Sequence, residues 1–195
     1  MATATRTDTL QTYVSDVQSL VKHGLQVIDQ QISNLKNEGH PEALQAVREF
    51  SQVLHSHDAA LDARLKTLGG TATARVKEAV TRVAGMAAGV INAVRPEEAS
   101  KSIRDDYTFF SHCAIAYLML HTTASSLGDD ATAQVADRGY RDCARMCMVI
   151  DRIMPALVLE ELRQDGLPVN DVAARTRSMV ADAWRREAVP AGVKV

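Results

Sequence analysis

The residues of this chain that could do chemistry are few, and they interrupt apolar stripes at helical spacing. Asp58 follows Leu54 by one helical turn and precedes Leu61 by another. Asp142 stands one turn before Met146 and two before Val149, and Asp16 lies on the edge of a stripe between Tyr13 and Leu20. His57 is two turns after Phe50, and His121 is one turn after Tyr117. Cys113, Cys143 and Cys147 occupy stripe positions, the last two one turn apart and so on one face. Carboxylates, imidazoles and thiols are metal ligands, and helical bundles build their sites from polar side chains that break the apolar pattern. The same residues also have a structural reading: small core thiols, paired carboxylates and hydrogen-bonded histidines. Other chemistries lack their motifs. The sequence has no Gly-rich phosphate loop, no Gly-x-Ser-x-Gly elbow and no Cys-x-x-Cys. A serine or cysteine nucleophile would also need a base and an oxyanion hole, and no strand-to-helix turn is available to present them.

The elements that must position these groups read as helices throughout. The first spans about 8–37, with Leu10, Tyr13, Val17, Leu20, Ile28, Ile32 and Leu35 on one face. Gly39 ends it, and Pro41 opens the second at a position where the missing N–H costs nothing. Leu44, Val47, Leu54, Leu61, Leu65 and Leu68 continue to Gly69-Gly70. A third segment, about 72–94, carries Val76, Val80, Val83, Ala87, Val90 and Val94. After Pro96 a fourth runs through Ile103, Tyr107, Phe110, Ala114 and Tyr117 to about Leu127. Gly128 punctuates, and Asp129 or Asp130 can cap a fifth, which Pro155 is expected to kink or restart. Gly166-Leu167-Pro168 breaks the chain before a last amphipathic helix, about 171–187, with Val172, Met179, Val180 and Trp184. Short connections favour antiparallel neighbours, hence a bundle.

The bulk figures narrow the class. Aromatic residues are 4% and hydrophobic residues 46%, so Ala, Val, Leu and Met must fill the core, which suits closely packed helices better than a β-sandwich. A net charge of -2, with both signs spread along the chain, offers nucleic acid no basic field. No apolar run is long enough for a membrane span, and Met1 to Leu10 has no secretory pattern. Three cysteines, an odd number inside helical patterns, read as reduced thiols and lead to the expectation of a cytoplasmic protein.

The helix order, the Leu68-Gly69-Gly70 break, the extra helix before Pro96 and the stretch CAIAYLMLHTTASSLG, with Tyr117 and Gly128, resemble the ferritin-like superfamily. Within it the chain is similar to the bacterial stress-associated YciE/YciF type, over roughly 10–154. The resemblance implies an all-α, ferritin-like antiparallel four-helix bundle with extra helices. Residues 1–167 would form the bundle and 168–195 a C-terminal amphipathic helix and tail, in a homo-oligomer. It also implies where a metal site would lie. Members that bind two metals use a carboxylate from each helix and Glu-x-x-His pairs. This sequence has no Glu-x-x-His, and Cys113 stands where the third core helix would present a glutamate. Asp16, His57, Asp58, Cys113, Asp142, Cys143 and Cys147 are the positions such a site would draw on. The first expectation is therefore a non-catalytic bundle with a degraded di-metal site and no cofactor, acting as a stress-associated or structural interaction protein. The alternative is a metal-binding protein or metalloenzyme with an altered site, in which thiols and His57 favour zinc or copper over iron. Family layout puts Cys113 and His57 on helices neighbouring Cys143 and Cys147, and three thiolates with one imidazole is a tetrahedral zinc set.

Overall fold

Thr5 starts the first helix. Its Oγ1 accepts from the backbone N–H of Asp8 at 3.1 Å, and the Asp8 carboxylate favours the positive end of the helix dipole. The structure, a computed structural model, describes residues 5–36, 39–69 and 99–186. Among the described residues every regular element is helical: α1 (Arg6–Leu35), α2 (Pro41–Thr67), α3 (Ala99–Ser126), α4 (Asp130–Gln164) and α5 (Ala173–Arg186). These are the expected elements with shifted ends. The expected segment at 72–94 and the tail after Pro190 lie outside the described residues. Gly128 takes φ +68°, a left-handed conformation that lets α3 stop, and Asp129 then caps α4 by accepting from the Thr132 N–H at 2.9 Å. Pro155 does not restart the helix, since α4 runs through it to Gln164. Proline removes one ladder bond, while Ile150, Ile153 and Leu157 hold both sides of it in the core.

Four helices pack in a ring, each antiparallel to its two neighbours. Between α1 and α2, Gln11 meets the Leu68 carbonyl, Gln18 meets Asp58 and Ser51 meets Asp29. Between α1 and α3, Gln31 reaches Ser102 and Asp106. Across α2 and α4, Arg64 pairs with Asp129, His57 with Asp142 and His40 with Glu160. Between α3 and α4, Ser111 lies beside Cys147, and Glu161 accepts from the Ser100 N–H. These contacts make α2 and α3 run in the same direction across a diagonal: both begin near Glu160 and Glu161 and both end near Asp129.

All three phenylalanines of the chain lie in this core. Phe110 meets Phe50 edge to face at 5.0 Å and Phe109 at 5.4 Å. The buried face of α1 is wider than its periodic stripe, because Val14, Val21 and Leu25 are buried as well. The helix touches neighbours on two sides.

Helix α5 does not lay its apolar stripe across the bundle, which leaves a subunit interface as the other partner such a stripe could take: Met179 is 61% and Trp184 63% exposed. It is attached to α4 through polar contacts instead, Trp184 Nε1 donating to Asp151 at 3.2 Å and Arg177 reaching the Arg152 carbonyl. Among the described residues no helix is long and apolar enough to cross a membrane.

Candidate functional site

Halfway along the bundle, the residues singled out by the sequence fall on three of the four facing helices. Phe50, Leu54 and His57 come from α2, Phe110, Cys113 and Tyr117 from α3, and Gly139, Cys143 and Met146 from α4; all are buried. Gly139 is there because Tyr117 is: a Cβ on residue 139 would overlap the tyrosine ring. That ring in turn meets His57 edge to face, 5.2 Å between centroids and 83° between planes.

His57 is 4% exposed, and its Nε2 lies 3.3 Å from Asp142 Oδ2. Two effects oppose each other at this ring. Burial, the larger, disfavours the imidazolium, while Asp142 favours it, and the net result holds His57 below the ordinary histidine value of 6.5. The contact is therefore a hydrogen bond donated by a neutral ring, not an ion pair. Nδ1 keeps its lone pair, buried and without a partner. The ordering matters for stability. Unfolded chains protonate this histidine below 6.5 while the folded chain resists, so its contribution is complete above 6.5 and is lost as pH falls from there toward the lowered folded value. Thermal melts from pH 7.5 to 5 should show the wild type losing stability across that window and His57→Gln losing less. Parallel curves would mean the ring is solvated.

The thiols behave as core groups. Cys113 is fully buried, which pushes its thiol well up, and the neighbouring Cys143 thiol pushes the same way. Cys147 is half-buried beside Ser111 Oγ at 3.5 Å; burial also raises it, against a smaller opposite effect from Ser111. A neutral thiol is a poor nucleophile. A thiol reagent on the native protein is expected to modify Cys147 slowly, and Cys113 and Cys143 only on unfolding. Rapid modification of all three would contradict this packing.

The remaining candidates point elsewhere. Asp58 accepts from Gln18 Nε2 at 2.9 Å and lies 3.8 Å from Lys22 Nζ. Asp142 also faces Arg145, at 3.5 Å. Asp16 is half-exposed on α1. The structure thus brings Cys113 to Cys143 and His57 to Asp142, but it turns Cys147 toward Ser111 and Tyr107 and leaves Asp58 with Gln18. Among the described residues no group of three or more His, Cys, Asp or Glu side chains is arranged to hold a metal ion.

Comparison with family models, with curated proteins and with solved structures finds no match for this chain.

The site's geometry must therefore speak for itself. Other buried polar groups, away from the middle of the bundle and not of metal-ligand type, are well connected. Arg64 Nη2 forks onto Asp129 at 2.6 and 2.8 Å, and its Nε donates to Thr132 Oγ1 at 2.6 Å. Gln11, Gln18 and Gln31 are buried on α1, each bridging to a neighbouring helix. A signal for them existed. Gln11 and Gln18 are two turns apart and interleave with Val14 and Val21, placing amides on the inward face.

Proposed function

We propose that the protein is a ferritin-like bundle without a working metal centre, serving as a structural or stress-associated interaction protein. The observation that carries this reading is what fills the middle of the bundle. Two adjacent irons need bridging carboxylates and imidazole nitrogens from facing helices. At that level the described residues offer Phe50, Leu54, Phe110, Tyr117 and Met146, and as donors His57, Cys113 and Cys143, with Asp142 on His57 the one carboxylate in contact with them. This donor set does not fit two irons.

The ferritin-like part of the reading is supported by helix direction. Because α2 and α3 are parallel, the end of α2 and the start of α3 lie at opposite ends of the bundle, and such a parallel pair distinguishes ferritin-like bundles from up-down-up-down ones. The interaction part is supported by an asymmetry of the surface. Among the described residues the exposed large apolar side chains, including Ile115, Leu118, Met119, Tyr140, Met148 and Trp184, belong to α3, α4, α5 and the turn before α5, and none to α1 or α2. A one-sided apolar surface is a feature of contact faces and fits a homo-oligomer. Free thiols, three and unpaired, fit a cytoplasmic setting.

Elemental analysis of protein purified without added metal, paired with ferrous oxidation in air, tests the reading. The expected result is no stoichiometric metal and no acceleration over buffer. A stoichiometric ion lost in Asp58→Ala or Asp142→Ala would instead support the altered-site alternative, with zinc, copper or iron identified by the analysis itself.

A further inference from the structure

Gln31 and Asp106 meet inside the bundle where α1 faces the first turns of α3. Gln31 Nε2 donates to Asp106 Oδ1 at 2.9 Å and to Ser102 Oγ at 2.7 Å. The two side chains are 4% and 3% exposed. Each is left with one buried oxygen that no donor reaches, Oε1 on Gln31 and Oδ2 on Asp106. The amide has already directed its nitrogen to two acceptors, so it has nothing more to give. Buried acceptors without donors are rare in folded proteins because each forfeits its hydrogen bonds to water. Here two such oxygens belong to one hydrogen-bonded pair, and each lacks a hydrogen.

We propose that Asp106 is a neutral carboxylic acid in the folded protein, its Oδ2–H donating to Gln31 Oε1, and that this acid–amide clasp ties α1 to α3 and opens when the acid ionises. The clasp joins the α1–α2 pair to the α3–α4 pair, so its opening acts on the packing of one pair against the other.

The surroundings favour the neutral form. Burial, the largest effect, pushes the Asp106 carboxyl well up; the hydrogen bond from Gln31 opposes it, and the Asp105 carboxylate on the same helix adds to it. From α1 the facing group is the uncharged Gln31, and from α3 they are Ser102 and Asp105. Among the described residues of α1, α2 and α4, no lysine, arginine or histidine pairs with it. The sign follows from the raised value. A carboxyl that stays protonated in the fold stabilises fully below its unfolded value of 3.8, and that contribution is lost as pH rises through its folded value.

Asp106→Asn tests the clasp, because asparagine offers an oxygen to Gln31 Nε2 and an N–H to Gln31 Oε1 but cannot ionise. Thermal melts should show the variant close to wild type at pH 4 and increasingly above it as pH rises to 9, by several degrees at the upper end. Carbon-13 NMR of the aspartate carboxyls in the wild type supplies a reading that does not depend on a variant. One carboxyl is expected to stay protonated well after the other aspartates have ionised, and its signal to be absent from Asp106→Asn. If every aspartate carboxyl titrates near its ordinary value, or the variant melts below wild type by the same margin at each pH, Asp106 is ionised and the clasp does not exist.

Discussion

Arg64→Met is expected to lower the stability of the fold by about 3 kcal/mol, at the lower end of what breaking a buried ion pair costs. Arg64 and Asp129 side chains are 16% and 10% exposed, so neither regains full hydration when the other is removed. The guanidinium serves four acceptors at once: both oxygens of Asp129 and the hydroxyls of Thr132 and Thr67. Asp129 in turn caps α4 through the Thr132 N–H. One substitution therefore strands a carboxylate, loosens a helix cap and disconnects the end of α2 from the start of α4. In a chain of this size about 3 kcal/mol corresponds to a fall in melting temperature of roughly 6–12 °C. Arg64→Lys keeps the charge but loses the fork and should fall between. The control is Arg64→Met combined with Asp129→Asn, which retains a good cap and leaves no stranded charge; it should recover part of the loss. If the double variant is as unstable as the single, the cost lies in packing and not in the ion pair. Acid should mimic the single variant. Burial works to raise the Asp129 carboxyl, but Thr132 and Arg64 outweigh it and hold it below 3.8, so this contribution is present above that value and is lost as pH falls through the lowered one.

That latch was not legible in the sequence, although the elements on either side of it were. The helix containing Leu61 and Leu65, the glycine at 128 and the capping aspartate at 129 all follow from local rules: helical periodicity, left-handed glycine and side-chain caps. Such rules work because each depends on residues a few positions apart. The Arg64–Asp129 pair is separated by 65 positions, and nothing local says which carboxylate an inward-tilting arginine will find. The candidate metal residues show the same limit from the other side. Spacing correctly placed His57, Cys113 and Cys143 on inward faces, where all are buried. What spacing could not give was rotation about each axis, which turns His57 toward Asp142, Cys147 toward Ser111 and Asp58 toward Gln18. The stripe of α5 shows the same limit. An amphipathic pattern shows that a face could be buried, not that a partner surface is within reach.

The two interior glycines make the sharpest test of the packing. Gly24 and Gly139 sit mid-helix, where alanine is ordinarily better by about 1 kcal/mol. Each is opposite an aromatic ring, Phe109 for Gly24 and Tyr117 for Gly139, that a Cβ would overlap. Overpacking a core in this way typically costs 1–3 kcal/mol, and rings fixed on several sides have little room to yield. Phe109 is held by Phe110, and Tyr117 lies edge-on to His57. The clash therefore outweighs the propensity gain, and Gly139→Ala is expected to destabilise by about 1 kcal/mol net, and by up to roughly 2 if the ring cannot yield. Shortening the ring should relieve it, so that Gly139→Ala with Tyr117→Leu is less unstable than the sum of the singles, a coupling read from a double-mutant cycle. His57 provides an independent readout. A ring pushed off Gly139 must move against His57 or away from it, and in either case the histidine's titration, followed by proton NMR, shifts from its wild-type value. A Gly139→Ala protein that is more stable than wild type, with His57 titrating unchanged, would mean that the tyrosine moves freely and that the middle of the bundle is not packed as described.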